Sequence, residues 1–378
     1  MIIRNGLVFR DNGFDRKDLA FDHGIITDIA PEGSLSGDGF DVAGAYVLPG
    51  FVDIHTHGCV NNDFCDADPM GYEQMLAYYG SRGITSVLAT TMSYNEEVLS
   101  SITKVALRFM DKRGYGAVLR GVNMEGPFIS KAKRGAQNPD YIMSPDKDIF
   151  DRLFTAFGGS IRLLNMAPEL PGSLELIRHA AKRCTVSLAH TVADYDYAMA
   201  AFEAGATHVT HLFNAMPGFG HRQPGVIGAA FDGAAQVEII SDGVHLHPSV
   251  VRAMFKMFGS RRICLVSDCI RGTGMPNGEY ELGGQAIIIK DGRSNLVTGG
   301  AIAGSAMNLT DCFRQAVKFG VPLAEAVQAA SYNPARAVSI ASEVGSLVPG
   351  KVADIIVMDA DLNLLDVFAG GERLTIND

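Results

Sequence analysis

The chain has 378 residues, more than one ordinary domain unless that domain is a large barrel. With 47% hydrophobic and 20% charged residues it reads as a globular protein, and a net charge of -10 argues against a nucleic-acid partner. The opening "MIIRNGLVFRDNGFD" has no apolar signal core and no apolar run reaches spanning length, so the expected location is the cytoplasm, with no membrane partner. A small anionic ligand stays compatible, since it needs only one or two local cations or helix N-termini. The six cysteines form no CxxC pair and read as free thiols, several of them buried.

In chain order, residues 1–48 read as short strands broken by Gly and Asp: "MIIRNGLVF", "DLAFDHGIITDIA" and "FDVAGAYVLPG". Residues 345–378, with "GKVADIIVMD", are strand-like again. Neither end is large enough to bury its own core. The two are therefore expected to pair into one small β-sandwich domain, discontinuous in sequence.

Residues 49–344 alternate apolar β-branched runs with helical stretches. The strand candidates are "FVDIHTH", "ITSVLATT", "LRGVNMEG", "IRLLNMAPE", "TVSLAHT", "HVTHLFNAM", "QVEIISDG" and "ICLVSDC". Eight such β–α units fit the α/β class and a (β/α)8 TIM barrel. No GxGxxG follows the first strand, which leaves a dinucleotide-binding open sheet little support.

A TIM barrel forms its active site at the C-terminal ends of its strands. There the first strand carries His55 and His57, which share a face because strand side chains alternate. The third ends at Glu125, the fifth at His190, the sixth carries His211 and the eighth ends at Asp268. Imidazoles and carboxylates together are a ligand set for zinc or a related divalent ion. A lone histidine at a strand end is usually packed or solvated. His208, three residues before His211, is read that way, and His23, His179 and His221 as loop or helix-surface residues. Glu125 could cap a helix, but Gly126 and Pro127 turn the chain sharply after it. "CIRGTGMPNG" after Asp268 is loop-like, which weakens a cap reading for that carboxylate. Beside an ion, Asp268 could serve as general base and then general acid.

On these residues the chain resembles the amidohydrolase superfamily, metal-dependent barrels with a β-domain built from both chain ends. Within it, "PGFVDIHTHG", "NMEGPFISKAKRGAQNPDYI", "THLFNAM", "RQPGVIGAAF", "SDGVHLHP", "LVSDCIRGTG" and "VTGGAIAGSAMNLT" are similar to the N-acetylglucosamine-6-phosphate deacetylase family, over nearly the whole length. The resemblance implies hydrolysis of that sugar phosphate to glucosamine 6-phosphate and acetate. It implies Glu125, His190 and His211 as principal ligands, with His55 and His57 able to hold a second ion. The metal would be zinc ahead of iron, cobalt or manganese, one or two ions per subunit. Asp268 matches the acid/base, Asn214 and Ala215 a loop touching the sugar phosphate, and His245 a substrate-binding histidine. Arg222 matches an arginine reaching the phosphate across a subunit interface, which implies a homodimer. Gln137, in "GAQNP", stands where many members have histidine; it can donate to a sugar oxygen but carries no charge.

Dihydroorotase-like and urease-like sites are disfavoured because the fourth strand, "IRLLNMAPEL", has no lysine. An adenosine-deaminase-like site is disfavoured because no glutamate follows the fifth. Two alternatives stay open: another N-acyl deacetylase, acting on a D-amino acid or another N-acetylhexosamine phosphate, and a non-catalytic scaffold.

Overall fold

The computed structural model describes residues 1–11 and 13–376. Eight parallel strands form its centre, numbered β1 to β8: Phe51–Thr56, Ile84–Thr91, Val118–Glu125, Ile161–Met166, Thr185–Leu188, His208–Val209, Gln236–Ile239 and Ile263–Leu265. Each pairs with its sequence neighbours, so the expected barrel order is observed. The ring closes through one bridge, Thr56 to Cys269, flanked by Asp268 N–H to His55 C=O at 2.9 Å and His57 N–H to Cys269 C=O at 2.8 Å.

One helix follows each strand: α1 to α8 are Pro69–Ser81, Glu96–Phe109, Lys147–Ala156, Ser173–Ala180, Tyr195–Ala204, Gly225–Asp232, Pro248–Phe258 and Leu309–Lys318. Two more, α9 (Leu323–Ala330) and α10 (Tyr332–Ala337), complete the outer layer. Their starts follow local chemistry. Asp68 caps α1 by accepting from the N–H groups of Met70 and Gly71, with Pro69 at the first position. The strands are covered on both sides, and β1, β2 and β3 are buried at every position. The interior is polar just beneath the site: Asn165 donates to Asn123, Thr210 donates to Asn165, and Asn123 donates to the Ile54 carbonyl at 2.9 Å.

Both chain ends contribute to a small β-structure, as expected. Its hydrogen bonding is that of a single mixed sheet of eight strands. Ile355–Met358 pairs antiparallel with Tyr46–Pro49, so the two ends meet in its middle. The sheet curls until Ile25 bridges to Val352, enclosing a core that includes Val8, Leu19, Val47, Ile355 and Phe368.

One element was not expected. Between β8 and α8 lies a three-stranded antiparallel sheet, Gly278–Leu282, Gln285–Lys290 and Arg293–Leu296. Its apolar face, Leu282, Ile287, Ile289 and Leu296, packs on Met92 and Ile270 at the barrel mouth. All six cysteines are free, and Cys59, Cys264, Cys269 and Cys312 are buried.

Candidate metal centre

Glu125 is the last residue of β3. Gly126 after it has φ 80°, and a Cβ there would lie 2.1 Å from the Ser93 hydroxyl oxygen. The turn that leaves Glu125 facing the barrel axis therefore admits only glycine. His55 lies in β1 and His57 just beyond it, on one face. His190 and His211 each stand two residues past their strands, and Asp268 three past β8.

These side chains converge on one carboxylate. Glu125 Oε1 is 3.0 Å from His190 Nε2, 3.1 Å from His211 Nε2 and 3.5 Å from His55 Nε2. Its Oε2 is 3.4 Å from His57 Nε2. Asp268 Oδ1 lies 3.6 Å from His55 Nε2 and 3.4 Å from His57 Nε2. Two groups of potential ligands result, His55–His57–Glu125 and Glu125–His190–His211, all buried and sharing the glutamate. Burial pushes the Glu125 carboxyl up, but the imidazoles around it prevail and hold it well below the usual carboxylate range. Asp268 follows the same pattern: burial raises it, His57 and His55 lower it, and the net direction is down.

The donor set fits a divalent cation. His190 Nδ1 faces the Lys133 carbonyl at 2.8 Å, which assigns its proton there and leaves Nε2 with a lone pair. His55 Nδ1 faces the Glu238 carboxylate at 2.9 Å, and its Nε2 is buried without a hydrogen-bond partner among the described residues. His190 Nε2 and His211 Nε2 lie 3.2 Å apart. Lone pairs held this close around a carboxylate need a positive charge between them.

Above the cluster is a cavity of about 360 Å³, within the range of small-molecule sites. Asp268, His245, Asn214, Ala215 and Gln137 line it. His245 Nδ1 is 2.8 Å from Asp242 Oδ2, which also accepts from Ser305 Oγ at 3.1 Å. Burial lowers the His245 imidazole, the Asp242 carboxylate raises it, and the raising effect prevails. Asn214 donates to the carbonyls of His211 and Leu212. Gln137 is buried with both polar ends engaged: its amide donates to Glu125 Oε2 at 2.7 Å and its oxygen accepts from Ser93 N–H at 2.6 Å. Arg222 is not part of this cavity. It is exposed on the loop after β6, beside His221, and lines a separate cavity with Tyr195 and Asp196.

Sequence reasoning missed several participants. Glu238 in β7 is fully buried; it meets His55 Nδ1, accepts from the His211 backbone N–H at 3.1 Å, and lies 3.2 Å from His208 Nε2. Its signal was a single acid inside the apolar run "QVEIIS". Lys133, the one cation lining the cavity among the described residues, donates to the Met216 carbonyl at 3.4 Å. Leu282, Ile302 and Ala303 bring the unexpected sheet and the loop after it to the rim.

Comparison with known proteins agrees with this geometry. A profile described as the amidohydrolase family matches residues 46–376. N-acetylglucosamine-6-phosphate deacetylase from Bacillus subtilis (strain 168) is 35% identical over 330 residues, 85% of this chain and 83% of that protein. N-acetylgalactosamine-6-phosphate deacetylase from Escherichia coli O157:H7 is 31% identical over 329 residues, 86% and 87% of the two chains. A solved structure of an aspartate-to-alanine variant of N-acetyl-D-glucosamine-6-phosphate deacetylase from Mycobacterium smegmatis, in complex with N-acetyl-D-glucosamine-6-phosphate, superposes with a TM-score of 0.93. It shares 31% identity and covers 99% of each chain.

Proposed function

We propose, from the premise that this chain belongs to the amidohydrolase family, that it hydrolyses the acetamide of N-acetylglucosamine 6-phosphate to glucosamine 6-phosphate and acetate. The observation that carries the reading is the single carboxylate, Glu125, ringed by four imidazoles, with Asp268 beside them at the floor of a cavity of small-molecule size. The similarity to deacetylases over nearly the whole chain supplies the substrate class.

Glu125, His190 and His211 would hold a divalent ion, and His55 and His57, with the same carboxylate nearby, would be able to hold a second. The mixed nitrogen and oxygen donors suit zinc first, with iron, cobalt and manganese as alternatives. When bound, the ion supplies Lewis acidity to a water and to the acyl oxygen. Asp268, held ionised by its imidazole neighbours, takes the proton from the attacking water at its carboxylate. It then gives that proton to the departing amine. His245, its Nδ1 tied to Asp242, presents Nε2 to the substrate. Asn214 and the Ala215 backbone position the sugar, and Lys133 offers positive charge within the subunit. Gln137 acts through Glu125, whose Oε2 it fixes. Arg222, exposed and outside the cavity over the His/Glu cluster of its own subunit, serves the neighbouring site of a homodimer. Phosphate contacts far from the carbonyl fix orientation, which raises rate as well as affinity.

Acetate release by the metal-reconstituted protein tests the reading. N-acetylglucosamine 6-phosphate should be turned over with a kcat/KM at least about 100-fold above that of N-acetylglucosamine, the value of two or more charge-assisted phosphate contacts. The galactosamine relative makes the 4-epimer the informative competitor. Preference for N-acetylgalactosamine 6-phosphate would move the assignment to that sugar, and turnover of no phosphorylated hexosamine would refute it.

A further inference from the structure

At the opposite end of the barrel lies a second cavity, of about 490 Å³, between the curled end sheet and the last helices. Arg10 reaches it from the tip of the strand Ile2–Arg10 and Arg336 from α10. Lys351 reaches it from the loop before Ile355–Met358, and Arg261 from the single turn Ser260–Arg262 that leads into β8. Arg261 precedes β8 whereas Asp268 follows it, so this cavity opens where the strands begin and the metal centre where they end.

Four cations converge here in a chain whose net charge is -10. No ion pair among the described residues involves any of the four. Their protein partners are neutral: Arg336 donates to the Arg261 carbonyl, and Lys351 donates to the Ala341 carbonyl and to Ser346 Oγ. Lys351 also lies 5.7 Å from the centre of the Tyr332 ring and keeps a third N–H free for a ligand. One acid, the exposed Asp11, stands on the wall. A second observation points into the same space. Gln328 lines the cavity as well, a residue only 9% exposed whose side chain carries an amide donor.

Like charges gathered around a partly enclosed space repel one another unless an anion joins them. Guanidinium forks, an ammonium and an amide are the donor set that recognises phosphoryl oxygens. The volume lies in the small-molecule range. We propose that this cavity binds a small phosphorylated metabolite, gripped by Arg261, Arg336, Arg10 and Lys351, at a site separate from the metal centre.

Titration calorimetry on the full-length, metal-loaded protein, with fructose 1,6-bisphosphate as the probe, tests it. Saturable binding is expected in the wild type. Binding should be at least about tenfold weaker in the Arg261→Gln, Arg336→Gln double variant, since each guanidinium contributes charge-assisted hydrogen bonds. Deacetylase turnover of that variant should be unchanged, because neither arginine approaches the metal centre. Neutral fructose should not bind. Absence of binding to the wild type, equal binding by both proteins, or equally tight binding of the dicarboxylate succinate would overturn the proposal. Arg261→Gln alone, whose side chain bonds to nothing among the described residues, repeats the comparison if the double variant fails to fold.

Discussion

Three side chains at the metal centre stand on backbone that L-residues seldom adopt: φ is 45° at His190, 25° at His211 and 50° at Asp268. A strand that simply continued would carry them past the axis. The left-handed step turns them inward, at a cost of about 1–3 kcal/mol each. The strand-end positions of the clustered histidines and carboxylates were legible in the sequence, because periodicity alone places His55 and His57 on one face. The supporting residues were not. Glu238 is a single acid inside an apolar strand, and nothing local marks its role, because its partners His55 and His208 come from β1 and β6. Gln137 looked open to substrate, because its bond to Glu125 depends on how the loop after β3 folds back. Glu238→Gln should keep the fold but weaken metal affinity by about 10–100-fold, read by competition with a chelator, because the anion orienting His55 is gone. Asp268→Asn should leave metal content intact and reduce kcat by about 10²–10⁴-fold. Full activity would remove Asp268 from the acid/base role.

Among the elements, the eight strands and their helices could be read in order because each carries its own local pattern. The sheet at 278–296 carries one too. Its turns are Gly283-Gly284, with φ 58° and 79°, and Asp291-Gly292, with φ 52° and 75°. Those are the two-residue hairpin signals that suit paired positive φ values. They lie within a β–α alternation, where a short segment between a strand and its helix reads as a connecting loop. Leu282 belongs both to the small core of that sheet and to the cavity wall. Leu282→Ala should therefore loosen the rim more than the barrel. Amide exchange should quicken over 278–296 and KM should rise, while the global melting temperature changes little. A loss of stability as large as that of a barrel-core truncation would show the sheet to be integral to the fold.

Across the whole molecule, the end sheet was legible only in outline. Ile355–Met358 pairs with Tyr46–Pro49 across most of the chain's length, and such pairing leaves no local mark in either segment. The histidines and glutamate of the cluster show the same distance between sequence and space, since they stand at the ends of β1, β3, β5 and β6. An ion held by them ties together strands that are remote in sequence, so it binds the folded state and not the unfolded one. With free metal at about 100 times its Kd, the gain is about 2.7 kcal/mol. Removing it with a chelator should lower the melting temperature by on the order of 5 °C, and returning metal should restore it. No change would place the ion outside the folding equilibrium.

The closure of the ring has a consequence for how this barrel can err. Where β1 and β8 meet, the Thr56–Cys269 bridge is flanked by backbone bonds that join His55 to Asp268 and His57 to Cys269. A slip of one residue along that edge would turn every side chain there to the opposite face, carrying His55 and His57 away from Asp268. The reaction centre is thus also a proofreading mark for the fold. A misregistered barrel would assemble without its chemistry, and an ion seated across the join would favour the one alignment that can hold it.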